Sequence, residues 1–328
     1  AWSFLWSISV KEYAWYTGDR AFVESIYPAV VLNLRRALAR VDATGLFRGS
    51  GMLDWTPIDS GRPYVTHNQM FLCEALRTAA DVAGWLGHAA DALAWRKARE
   101  SLAATLHRRL WVTGRDAYAD SMDPDGSISP RSCRHTSALG LLYDLIPDDC
   151  REAAIRNLMT PPEGMTDVGS PFALQFIMEA MVHTGRPDAA LTLIRGDWSM
   201  MLKHGATTFW EMIHDDWRKG LRRDPTRSHC HAWSCAPLDF IGRVLLGIRP
   251  LKPGFEEVEI NPSPCGLDFA EGEALTPHGR IRVRWARDGA GDLKMHVDAP
   301  EGIKVHAGPL VEPEAWTTSR LSEKPDAP

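Results

Sequence analysis

No apolar run in these 328 residues approaches the ~20 needed to cross a bilayer as a helix, so no membrane-spanning helix is expected. A basic excess is absent too: 37 Lys and Arg face 42 Asp and Glu, a formal charge of −5. A phosphate-backbone binder needs clustered cations to displace counterions, so nucleic acid is not an expected partner. No two cysteines form a C-x-x-C pair, which removes the zinc knuckle and the thioredoxin-type motif. Also missing are a P-loop, a G-x-G-x-x-G turn and a G-x-S-x-G nucleophile elbow. Tyrosine is scarce, at 6 residues, while Trp reaches 13. Indole is costly to bury without a partner for its N–H, so such an excess often marks rings used as contact surfaces, sugar-stacking platforms among them. Packing at helix interfaces is the expectation for most of the 13.

The chain's 45% hydrophobic and 24% charged residues are globular values and exclude a disordered chain. Of the six cysteines, the three inside apolar helical patterns read as small core residues, and a reducing, cytoplasmic setting is favoured. The opening Ala1-Trp2-Ser3-Phe4-Leu5-Trp6 is already in mid-pattern, with no initiator Met, basic n-region or helix cap. It reads as a chain whose beginning lies upstream.

Helical periodicity predicts segments over 2–17, 20–41 with a break at Pro28, 66–86, 89–111, 132–145, 148–159, 170–184, 187–203 and 229–246. Thr66 and Gln69 have capping-box spacing, Pro171 and Pro187 suit a first helical position, and Gly18, Gly87, Gly185 and Gly205 suit left-handed C-caps. Loop lengths carry more information. Short turns alternate with long connections at 42–65, 112–131, 160–169 and 204–228. Short turns make antiparallel helix hairpins, so the long loops gather at one end of the stack, the functional one. The expectation is an α/α toroid whose helices entered from long loops form an inner ring, with Trp2, Phe4, Trp6, His231 and Trp233 on it. Segments 20–41 and 89–111 would be outer helices. After Gly247 the period changes to two, as in Ile281-Arg282-Val283-Arg284-Trp285, which predicts a small antiparallel β-sandwich. The expected organisation is 1–246 helical, 247–316 β-sandwich and 317–328 disordered tail.

Several residues could carry chemistry. Thr207-Thr208-Phe209-Trp210-Glu211 is a short rigid strip ending in a carboxylate beside aromatic walls, where partial desolvation would suit a general base. An ordinary exposed Glu is the other reading. Asp54-Trp55 in the 42–65 loop could grip a sugar by its hydroxyls and its apolar face, or could be turn and packing residues. Asp116, Asp120, Asp123 and Asp125 resemble a calcium loop faintly, but the glycine and terminal Glu spacing is absent, so solvated turn chemistry is expected. His229 and His231, at i and i+2 in an expected helix, would point to different faces, which disfavours a shared metal.

The strips TTFWE, SHCHAWSCAP, VLLGIRPLKPGF and LTPHGRIRVRW occur in this order and spacing in bacterial α-L-rhamnosidases of glycoside hydrolase family 78, and FLWSISVKEYAWYTGDRAFVESIYP and MLDWTPID resemble the same catalytic domain. The resemblance spans roughly residues 2–310. It implies a mainly α fold, an (α/α)6-barrel lacking its first helices, followed by the β-sandwich. It implies inverting removal of terminal α-L-rhamnose, with Glu211 as general base and Asp54, Trp55, Trp210, His229 and His231 lining the sugar pocket. Rhamnose-containing glycosides would be the partners, with no metal or cofactor; self-association into a homo-oligomer is left open. The family's general acid lies in an acid-rich loop ahead of the segment that opens this chain, so the chain alone is expected to be inactive and poorly folded. Two alternatives stand beside this reading: another inverting exo-glycosidase on the same toroid, and a non-catalytic carbohydrate-binding fragment.

Overall fold

The structure is a computed structural model that describes residues 1–59, 61–212, 228–309 and 316–321. The chain forms two compact units, Ala1–Lys11 with Glu24–Ser234, and Glu12–Val23 with Cys235–Pro328. Helices α1 (Trp2–Thr17) and α2 (Arg20–Leu38) meet at Gly18. α2 runs through Pro28 without the expected break. Pro28 and Glu24, whose carbonyl loses its helical partner, both lie on the exposed side, so water can replace the bond. The opposite stripe, Val23, Tyr27, Val30, Leu34 and Ala37, is buried at helical spacing.

In the helical unit, β1 (Tyr64–Val65) leads into α3 (Thr66–Leu86) and α4 (Ala89–Leu110). The short strands β2 (Trp111–Val112), β3 (Ala117–Tyr118) and β4 (Ser121–Met122) follow. Then come α5 (Arg134–Leu142), α6 (Asp148–Met159), α7 (Pro171–His183), α8 (Pro187–Asp197) and α9 (Ser199–Lys203). α3, α5 and α7 are buried along most of their length, whereas α4 buries one stripe that includes Ala92, Trp95, Leu102 and Leu106. That alternation is the inner and outer arrangement the loop lengths predict. Gly87 and Gly185 take left-handed backbone at the short turns, and Ser170 caps α7 by accepting the Ala173 N–H at 3.2 Å.

The capping box at Thr66 does not form. Val65 is the cap, the Thr66 hydroxyl donates to the Ala119 carbonyl, and Gln69 turns away to the 42–65 loop. There it accepts the Phe47 N–H at 2.8 Å and donates to the Phe47 carbonyl at 2.8 Å. The cause is tertiary: the first turn of α3 is wholly buried, and buried backbone in the facing loop needs partners. Asn68 donates to Gly49 O at 2.8 Å, and His67 Nε2 bonds Gly51 O at 2.9 Å. Three consecutive helix residues thus hold alternate positions of the loop segment 47–51.

The expected helix over 229–246 is broken. Ala232–Ser234 is a 3-10 turn, α10 (Ala236–Phe240) starts afresh with Pro237 in its first turn, and Ile241–Leu245 is a π turn. Residues 235–246 belong with the β unit, where Trp285 donates its indole N–H to Leu245 O at 2.7 Å. Gly247 has φ +73° and packs so closely that a Cβ would lie 2.3 Å from the Asn261–Pro262 backbone. Strands β5 (Ile248–Pro250), β6 (Glu257–Ile260), β7 (Phe269–Thr276), β8 (Gly279–Arg287), β9 (Leu293–Pro300), β10 (Lys304–Ala307) and β11 (Trp316–Leu321) make two sheets, β10-β6-β5 and β11-β9-β8-β7. Both sheets feed one core around Trp285, with Phe255, Val258, Ile260, Ile281, Val283 and Val297. The β7–β8–β9 meander is antiparallel, but β10 pairs with β6, and β11 with β9, in parallel. Residues 317–321, expected in the tail, instead extend β11. The β9 edge offers unpaired backbone groups, and Trp316-Thr317-Thr318 is β-favouring sequence. The rest of the expected tail, 322–328, lies outside the described residues.

Candidate active site

The long loops meet, as their common end of the stack requires. Arg131 donates to Pro57 O at 2.9 Å, Arg62 pairs with Asp123, and the Ser129 hydroxyl donates to Asp59. All of these tie the 42–65 loop to the 112–131 loop. Asp123 and Asp125 do turn work: the Asp125 carboxylate accepts the Ser127 N–H at 2.9 Å. Asp120 is buried instead, and burial pushes its carboxyl above the ordinary range.

Glu211 is half-buried and clasped at two points by Ser228. Its own N–H donates to Ser228 O at 2.9 Å, and its Oε2 accepts the Ser228 N–H at 2.8 Å. The Trp233 indole donates to the Glu211 carbonyl at 3.1 Å. His231 N–H donates to Phe209 O at 2.8 Å, so the strip 209–211 and the segment 228–231 lie side by side in non-helical backbone. This changes the expected histidine geometry. His229 is exposed and stacks on Trp210 at 4.5 Å, while His231 is half-buried and stacks on Trp233 at 4.5 Å. Each imidazole therefore has its own indole. Trp210 is itself buried, with its backbone N–H on Met201 Sδ at 3.4 Å, and its buried ring backs His229 and offers little surface of its own.

Trp55 joins this group across the loops. Its ring lies 4.9 Å from that of Trp233 at an interplanar angle of 60°. Phe172, at the start of α7, stacks on Trp233 at 6.0 Å. The structure thus brings Trp55, Trp210, Glu211, His229 and His231 into one neighbourhood centred on Trp233.

Asp54 enters it differently. Its side chain is 0% exposed, and its carboxylate accepts the Trp55 N–H, the Gly169 N–H and His135 Nε2, each at 2.7 Å. Burial alone would raise its pKa, but the hydrogen bonds from His135 and Gly169 outweigh burial and hold the carboxyl below its ordinary range. An enclosed carboxylate with these partners presents no oxygen to a sugar hydroxyl in this geometry. Gly169 is needed for the approach, since a Cβ there would lie 2.5 Å from Thr56 Cγ2.

His135 and Trp233 are the residues that sequence reasoning left without a role in the site. His135 follows the 112–131 loop and opens α5, a position that the loop pattern already places at the functional end. Trp233 stands two residues beyond His231 on a segment that reads as wall.

Residues 1–245 match the model of the bacterial alpha-L-rhamnosidase 6 hairpin glycosidase domain, and residues 247–307 match that of the bacterial alpha-L-rhamnosidase C-terminal domain. An alpha-L-rhamnosidase of Alteromonas sp. (strain LOR) is 23% identical over 315 residues, covering 89% of this chain and 32% of that protein. The crystal structure of a GH78 family rhamnosidase of Bacillus sp. GL1 superposes with a TM-score of 0.88 at 35% identity, over 98% of this chain and 34% of that one. The Streptomyces avermitilis alpha-L-rhamnosidase complexed with L-rhamnose shares the fold, with a TM-score of 0.71 at 20% identity over 90% of this chain and 28% of that one. The chain spans about a third of the length of the first two relatives. A six-hairpin glycosidase domain followed by its C-terminal β domain, matched along nearly the whole chain, makes this protein a member of the bacterial α-L-rhamnosidase family, glycoside hydrolase family 78.

Proposed function

We propose that this chain carries the base side of a site that hydrolyses terminal α-L-rhamnosides with inversion. Glu211 takes a proton from a water molecule, and that water attacks the anomeric carbon from the face opposite the leaving oxygen. The observation that carries the proposal is the double clasp of Glu211 by Ser228, together with the Trp233 N–H on its carbonyl. A base must be held still, and here both its backbone and its carboxylate are held within an aromatic enclosure. Trp55 and Trp233 supply apolar ring surface for the sugar's C–H face, with His231 behind Trp233. Exposed His229, backed by Trp210, supplies a hydrogen-bonding edge. An inverting site needs a second carboxyl about 6.5–9.5 Å from the base to protonate the leaving oxygen. Glu211 accounts for the base alone.

The test is proton NMR during cleavage of an aryl α-L-rhamnoside by a protein of the relatives' full length that carries this chain. β-L-rhamnose is expected to appear first, and Glu211→Gln to lower kcat by at least about 10². First appearance of the α-anomer would overturn inversion. Near-wild-type turnover in Glu211→Gln would overturn the base.

A further inference from the structure

We propose that Asp54 is a positioning residue: its buried carboxylate joins the 42–65 loop, the 160–169 loop and, through His135, the first turn of α5, and so sets the Trp55–Trp233 ring pair that holds Glu211. The inference deepens the proposed rhamnose site and rests on that reading only for its binding arm.

Three bonds define the anchor. The Asp54 carboxylate accepts the Trp55 N–H, which fixes the backbone from which the indole projects. It accepts the Gly169 N–H, which brings in the 160–169 loop one residue before the Ser170 cap of α7. Its third partner is His135 Nε2, on the first turn of α5. Each bond is 2.7 Å, the short length of a charge-assisted hydrogen bond. The carboxylate can only accept, so Nε2 carries the hydrogen and the ring is fixed in orientation. His135 Nδ1 is buried and has no hydrogen-bond partner among the described residues, so the Asp54 bond is what holds the imidazole.

The consequence reaches Glu211 through contacts. Trp55 packs on Trp233, and Trp233 donates to the Glu211 carbonyl. Losing the anchor frees the Trp55 backbone, then the ring pair, then the main chain of Glu211. The entrance to the 42–65 loop is held separately by Gln69, Asn68 and His67 on α3, so the failure would be confined to the Trp55 end.

The experiment uses a protein of the relatives' full length that carries this chain, with two readouts. The circular dichroism couplet of the Trp55–Trp233 pair reports ring geometry without ligand, and calorimetry reports L-rhamnose binding. Asp54→Asn is expected to lose the couplet and to weaken L-rhamnose binding about tenfold or more, the usual cost of breaking a charged hydrogen bond. Trp55→Phe, which lacks one indole, calibrates complete loss of the couplet. Loss of binding with the couplet intact would make Asp54 a sugar ligand and overturn the proposal, as would no change in either readout. If Asp54→Asn does not fold, a second pair decides. His135→Gln, which can still donate to Asp54, is expected to keep the couplet, and His135→Leu to lose it; equal behaviour of the two overturns the proposal. Absence of rhamnose binding in the wild type would count against the proposed function alone, because the couplet would still respond to the anchor.

Discussion

Asp120 shows how a single buried carboxyl can cost stability while its neighbour Asp54 supplies it. Asp54 has three short donors; Asp120 has the Asp59 N–H at 3.4 Å and the weak thiol donor of Cys133, and burial outweighs both. Burial raises the Asp120 pKa, and the nearby Asp59 charge adds to that. A carboxyl whose folded pKa is raised is penalised once it must ionise, so stability falls as pH climbs from about 3.9 through the raised value. Asp120→Asn is therefore expected to melt higher than wild type at pH 7, with the gap closing below about pH 4 in a pH series of melts. At Trp55 the expectation is different. Its ring is half-buried, so Trp55→Ala should weaken L-rhamnose binding while moving the melting temperature little. A large drop in melting temperature with binding unchanged would make it a packing residue. Both residues were visible in the sequence as an acid run and an Asp-Trp pair. Which acid is enclosed and which solvated was not, because that depends on partners from 160–169 and α5.

The first turn of α3 is an element whose polar side chains serve another element. His67, Asn68 and Gln69 hold Gly51, Gly49 and Phe47 in order, an extended segment racked on a helix. Local sequence offered a capping box there, and the tertiary demand of the facing loop overrode it. His67 also gives this element a pH signature. Burial lowers its pKa to about 3, so the fold keeps the ring neutral while the unfolded chain protonates it near 6.5. A depressed histidine makes stability fall with acid, by up to about 1.4 kcal/mol per pH unit below 6.5. His67→Gln, which can still donate to Gly51 O, is expected to flatten that slope in denaturant titrations between pH 6.5 and 4. Gln69→Leu leaves the Phe47 N–H and carbonyl unsatisfied and is expected to cost about 2 kcal/mol or more. The broken segment 229–246 was legible only in part. Pro237 signals a new helix start, but the pairing of 228–231 with 209–211 is a long-range contact that no local pattern reveals.

Across the whole molecule, the alternation of short and long connections was the most informative feature of the sequence. It placed 42–65, 112–131, 160–169 and 204–228 at one end, and the hydrogen bonds of Asp54, Asp59 and Arg131 join three of them there. The switch from helical to period-two patterning near Gly247 was equally clear, because β6, β8 and β9 bury alternate residues into one core. Within that β unit, Trp285→Phe should cost about 1–3 kcal/mol, since Leu245 O loses its buried donor. The proposed roles of the two carboxylates were less accessible: sequence likeness puts Asp54 and Glu211 in one pocket, whereas the enclosure of Asp54 and the half-burial of Glu211 are tertiary facts. The most direct measurement is chemical rescue of Glu211→Gly, in a protein of full family length carrying this chain, with azide and an aryl α-L-rhamnoside. The account predicts that turnover is lost without azide and partly restored with it, yielding β-L-rhamnosyl azide, because the small anion attacks from the face that the base's water uses. Near-wild-type hydrolysis without azide, or azide product of the α configuration, would contradict it.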